Sequence, residues 1–233
     1  MDNTHSNFHR FTYFFQSDST EVKSFFTSEK WKNSRETKTD GVWSLKAYNI
    51  ENDYFLIIDA SSDLNSQQLF AVLEKNAQFG SVQKQLKASG LEVLKHDQAL
   101  ERIYEFNQKH VHSSKEGQLK TDVGDHKRFV WTLLLEQEPE LMAEYKRVHS
   151  IGMAWPEITN NMKTIGVKDM EIYLYESQAI LIMDTIPNFD LEEVGPRWQA
   201  MPRESEWQEF VAKFQRTDPN SSIQEKWKTM NEV

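Results

Sequence analysis

Cysteine is absent from the 233 residues, which removes disulfides, thiolate nucleophiles and thiolate metal sites together. No apolar run approaches the ~20 residues needed to cross a bilayer. A basic excess is also missing: 36 acidic side chains against 27 lysines and arginines leave a formal charge of −9. That sign argues against nucleic acid and membrane surfaces as partners and suits a neutral small molecule. The opening residues, Met1-Asp2-Asn3-Thr4-His5, lack the basic and apolar stretches of a secretory leader, so a cytoplasmic location is expected. His110, His112 and His126 have no metal-ligand spacing around them and read as solvated. No metal or cofactor is expected.

What is present is enough chain for one large domain or two of about a hundred residues, with 12% aromatic residues to build cores. The first half reads as a β-α-β-β-α-β unit. Strand Arg10–Gln16 puts Phe11, Tyr13 and Phe15 on one face. Ser17-Asp18-Ser19-Thr20 offers helix caps ahead of Val22, Phe25 and Phe26. Strands at 42–48 and 54–60 flank Glu51-Asn52-Asp53, a helix follows over 66–89 with a break near Gly80, and 100–106 closes the unit.

The second half repeats the order: a strand at 129–135, a helix over 140–165 stopped by Gly166, and a hairpin of 170–175 with 179–185. A helix at 205–214 and a strand at 226–232 complete it. The clearest internal match sets 40–60 beside 167–185, each a strand, an acidic turn and an apolar strand carrying Asp near its end. Residues 108–125 are polar and have the composition of a linker. The expected domains are therefore 1–107 and 126–233.

The chemistry concentrates in the second half. Glu138-Pro139-Glu140 reads as a helix start, and Leu141, Tyr145 and His149 then fall at i, i+4 and i+8 along one face. Trp155-Pro156-Glu157 follows, with Ile172-Tyr173-Leu174-Tyr175, Arg197-Trp198 and Glu206-Trp207 further on. The corresponding helix of the first half, Phe25-Phe26-Thr27-Ser28-Glu29-Lys30-Trp31, has no histidine. It reads as scaffold.

In order and spacing these motifs resemble the L-rhamnose mutarotase family over residues ~126–233. The resemblance implies an α+β fold of ferredoxin-like, dimeric α/β-barrel type. With the degenerate first copy, two tandem ferredoxin-like domains are expected to form an intramolecular pseudo-dimer, because an open sheet covered by helices on one face leaves the other uncovered. The implied activity is an isomerase's: interconversion of the α and β anomers of a 6-deoxy-L-hexose, L-rhamnose or L-fucose, without a cofactor. His149 matches the family's proton donor, Tyr145 a sugar-contacting tyrosine, and Trp198 and Trp207 the pocket tryptophans. The implied partner is a monosaccharide, and further homo-oligomerisation is left open.

Three departures bear on the sugar. Five residues separate His149 from Trp155, longer than the family spacing. The position of a sugar-contacting strand tyrosine falls on Met170, with Tyr173 close by as its substitute. A Trp-Trp pair is reduced to Glu206-Trp207 or Trp207-Gln208. Trp155 and Trp198 also read as packing residues and Glu157 as solvated. A non-catalytic sugar-binding protein of the same fold is the alternative function.

Overall fold

A computed structural model describes residues 7–36, 41–75, 77–88, 95–107, 109–216 and 226–233. The fold is α+β, with two antiparallel five-stranded sheets. The chain divides into two compact units. The first comprises Met1–Glu101, His112–Asp122 and Asn231–Val233; the second comprises Arg102–Val111 and Val123–Met230.

In the first unit, β1 (Asn7–Gln16) leads through α1 (Thr20–Phe26) and α2 (Glu29–Glu36) to the hairpin of β2 (Val42–Ile50) and β3 (Asp53–Ser61). Helices α3 (Ser66–Glu74) and α4 (Ala77–Ala88) follow. The Ser19 hydroxyl caps α1, and Asn65 with Gln68 forms a reciprocal capping box on α3. The break expected near Gly80 comes a few residues earlier, between α3 and α4, and Gly80 itself lies inside α4. Phe15, Phe25, Phe26, Trp31 and Tyr54 interlock in the core. The Phe15 and Tyr54 rings stack at 5.0 Å, and Phe26 meets Trp31 edge-on at 4.9 Å.

In the second unit, β6 (Lys127–Leu134) leads to α5 (Pro139–His149) and α6 (Pro156–Ile165), then to the hairpin of β7 (Val167–Tyr175) and β8 (Gln178–Thr185). Helices α7 (Leu191–Gln199) and α8 (Glu204–Ala212) precede β9 (Lys228–Thr229). The single helix expected over 140–165 is two. Pro156 disfavours helical geometry at the residue before it, and Trp155 is accordingly extended, at φ −65° and ψ 123°.

The internal repeat is visible in detail. Both hairpins turn on a glutamate in the left-handed region, Glu51 at φ 52° and Glu176 at φ 51°, and both carry a register shift near the start of their first strand. In each, the aspartate near the end of the second strand meets an arginine paired to it in register. Arg10 holds Asp59 at 2.7 and 3.1 Å, and Arg128 holds Asp184 at 2.7 Å through both nitrogens. Such bidentate pairs fix position as well as charge.

The strand orders are β10-β2-β3-β1-β5 and β4-β7-β8-β6-β9. Without the leading strand of each, both follow ferredoxin order. The extra strands alter the expected boundaries. β4 (Glu101–Glu105), read as closing the first unit, lies beside β7. β5 (Gln118–Thr121), inside the stretch read as linker, pairs with β1. The expected last strand divides, β9 joining β6 and β10 (Asn231–Glu232) joining β2. Local pattern gives a strand's existence but not its partner, which edge pairing decides. Among the described residues no helix is long and apolar enough to cross a membrane.

Gly166 caps α6 at φ 106°, and a Cβ there would meet Ile186 Cδ1 at 2.9 Å. Gly166→Ala is expected to cost the second unit roughly 1–3 kcal/mol, read as a lowered denaturation midpoint; an unchanged midpoint would contradict the strained geometry.

Candidate active site

A cavity opens in the second unit between its helices and one sheet face. The space inside it, open mouth included, is ≈ 810 Å³. Strand parity selects its floor. Met170 and Ile172 of β7, Leu181 of β8 and Trp131 of β6 face the cavity. Tyr145 and His149 enter from α5, Ile158, Thr159 and Met162 from α6, and Trp198 from α7. From α8 come Glu204, Trp207, Gln208 and Val211, at i, i+3, i+4 and i+7 on one helical face.

Tyr145 and His149 lie one turn apart with ring centroids at 4.2 Å, and both are buried. His149 Nδ1 lies 2.8 Å from the carbonyl oxygen of Tyr145. A carbonyl only accepts, so Nδ1 carries the proton and Nε2 of the neutral ring is an acceptor. Trp207 and Tyr104 meet the imidazole edge-on, at 5.8 and 6.1 Å. Trp155 lines the mouth, 5.3 Å from Trp207, while the Arg203 guanidinium lies 4.1 Å over its ring. Glu157, exposed, pairs with Arg203 at 3.3 Å.

Four of the five expected site residues, Tyr145, His149, Trp198 and Trp207, line this one cavity. Tyr173 does not. It sits at odd parity on β7, on the face opposite Met170 and Ile172, where its hydroxyl donates to Glu171 Oε1 at 2.8 Å. Met170 itself lines the cavity, so an apolar thioether occupies the place of the expected tyrosine. Trp207 and Gln208 both line the wall while Glu206 is exposed.

Sequence reading missed Tyr104, Glu204 and Gln215, all of which line the cavity. Tyr104 reaches it because β4 joins this unit. Burial pushes its phenol up to about 12, against a hydrogen bond with Thr159. Glu204 is only 2% exposed, and its Oε1 accepts from Trp198 Nε1 at 3.1 Å and Asn161 Nδ2 at 3.0 Å. The signal for it was the helical spacing of Glu204 with Trp207 and Val211. Gln215 Oε1 is buried without a hydrogen-bond partner among the described residues. Among the described residues no group of three or more His, Asp or Glu is placed to hold a metal ion.

Residues 128–233 match the L-rhamnose mutarotase family. An L-fucose mutarotase of Xanthomonas campestris pv. campestris is 26% identical over 106 residues, 46% of this chain and 85% of that protein. A UPF0734 protein of Dictyostelium discoideum is 28% identical over 116 residues, 48% of this chain and 91% of its own length. Among solved structures, an anthrone oxidase-like protein aligns over 97% of this chain and 91% of its own, with a TM-score of 0.46 and 12% identity.

Burial pushes the His149 imidazole down to about 4, against the bond to Tyr145 O. Burial likewise raises the Tyr145 phenol. His149 is therefore neutral in the folded protein at neutral pH. Its folded pKa lies below the unfolded value of 6.5, so the unfolded chain binds the extra proton and stability falls as pH drops from 6.5 towards 4. The loss is on the order of 3 kcal/mol. Denaturant titrations between pH 7 and 4 are expected to show this component in the wild type and not in His149→Phe; parallel pH dependences would mean that His149 is not held neutral.

Proposed function

Because residues 128–233 match the L-rhamnose mutarotase family, we propose that this protein interconverts the anomers of a 6-deoxy-L-hexose in the cavity of the second unit. Anomer exchange requires a proton to leave the C1 hydroxyl and another to reach the ring oxygen as the C1–O5 bond opens. After the aldehyde turns, the transfers reverse. Nothing is oxidised or reduced, so positioned acid–base groups suffice, at roughly 10²–10⁴ in rate.

The observation that carries the reading is the His149 Nδ1–Tyr145 O bond. It orients a neutral imidazole with its basic Nε2 unengaged among the described residues, inside an aromatic, largely apolar chamber. That protonation state changes the first step expected of His149. An imidazole already donating through Nδ1 begins as the base, taking the C1 hydroxyl proton on Nε2, and returns it as the acid on closure. Trp198 and Trp207 offer planes to the C–H face and methyl group of a deoxysugar. The Tyr145 hydroxyl, without a protein partner among the described residues, offers a donor to a sugar hydroxyl.

The name of the Xanthomonas relative brings L-fucose beside L-rhamnose. Met170 and Gln208, which alter the wall, favour the alternative of a sugar-binding protein without catalysis.

Saturation-transfer NMR between anomeric protons, run on both sugars, separates these readings. Protein-dependent exchange with one sugar, lowered about 10²–10⁴-fold in His149→Ala, is the expected result. Binding without accelerated exchange would establish the non-catalytic alternative.

A further inference from the structure

Glu204 has no part in the expected chemistry, yet its place is unusual. It opens α8 as a buried carboxyl on the same cavity as His149. Two neutral donors from different helices, Asn161 of α6 and Trp198 of α7, converge on its Oε1. Asn161 is itself fixed by a second bond to the Pro202 carbonyl at 2.9 Å. Among the described residues Oε2 has no hydrogen-bond partner. One oxygen of this carboxyl is held by the protein and the other is left for a ligand.

We propose that Glu204 is the second proton-transfer group of this site, acting on the ring oxygen while His149 acts on the C1 hydroxyl. This rests on the mutarotase reading above. In the opening step His149 Nε2 takes the C1 hydroxyl proton and the O–H electron pair forms the C1=O bond. The C1–O5 bond breaks, and O5 takes the proton from Glu204 Oε2. After rotation about C1–C2, the Glu204 carboxylate recovers the O5 proton as O5 re-forms its bond to C1, and the C1=O pair moves to O1, which takes the proton of imidazolium Nε2. Both groups end as they began.

The surroundings fit a carboxyl that can hold that proton. Burial pushes Glu204 above the ordinary carboxylate range, against the bonds from Asn161 and Trp198. The titratable groups that share its cavity are Tyr104 on β4 and Tyr145 and His149 on α5, with α6 and α7 presenting the neutral donors. On its own helix and the α6 start, Arg203, Glu206 and Glu157 pair with one another at the surface. Phenol is a poorer acid here, since burial raises both tyrosines.

The test is the pH profile of anomer exchange, with L-fucose and L-rhamnose as probes and tryptophan fluorescence reporting binding. The wild type is expected to lose rate at low pH as His149 protonates and at high pH as Glu204 loses its proton. Glu204→Gln keeps an acceptor for Trp198 and Asn161 but transfers no proton. It should lower kcat about 100-fold, leave KM nearly unchanged and abolish the alkaline limb. Asn161→Leu removes a donor that favours the carboxylate, and should move that limb to higher pH. If Glu204→Gln retains wild-type kcat and the alkaline limb, the role is overturned and the mutarotase reading stands. A wild type that binds sugar without accelerating exchange overturns both. Should Glu204→Gln fail to fold, Asn161→Leu decides, and a limb that stays in place overturns the proposal.

Discussion

A single backbone carbonyl governs the chemistry available to the second unit. The oxygen of Tyr145, one helical turn before His149, receives the Nδ1 proton at 2.8 Å. That bond selects a tautomer, holds the ring against the Tyr145 phenol at 4.2 Å and leaves Nε2 as the accepting nitrogen. Desolvation does the rest by keeping the ring neutral. The packing around it supports this one arrangement: α5 ends at His149, the turn to Trp155 redirects the chain, and the Trp155 and Trp207 rings enclose what lies between.

The two units show what happens when the same scaffold is or is not asked to leave room. Each has the hairpin with a left-handed glutamate, the arginine–aspartate pair across its second strand, and helices over one sheet face. In the first unit the space between helix and sheet is filled by Phe25, Phe26, Trp31 and Tyr54, with Trp31 fully buried and its indole N–H donating to the Val233 carbonyl. In the second unit Tyr145, His149 and Glu204 bring polar atoms into the equivalent layer, and a cavity remains. The two units differ in side-chain volume and polarity on a shared backbone plan.

Much of this was legible from local pattern. Alternation and helical spacing gave the strands, the first-turn proline of α5, the Gly166 stop and the stacking of Tyr145 on His149. Other features lay beyond any window. Tyr173 and Met170 are both plausible on alternation alone, and the choice between them depends on which face of β7 the helices cover. Spacing can put Glu204 on one helical face with Trp207 and Val211, but its burial follows only from Asn161 of α6 and Trp198 of α7 meeting it. The strand at 101–105 was found correctly as a strand, but its edge partner is β7, reached across more than sixty residues of sequence.

By itself, then, the sequence determined most of the strands and helices, the internal repeat and the Tyr145–His149 pair, because these follow from periodicity, turn chemistry and side-chain type. Only the tertiary structure decided which of those residues share a cavity, which nitrogen of His149 is available and which carboxyl is desolvated. These depend on burial and on contacts between segments far apart in the chain, and a local pattern contains no measure of either.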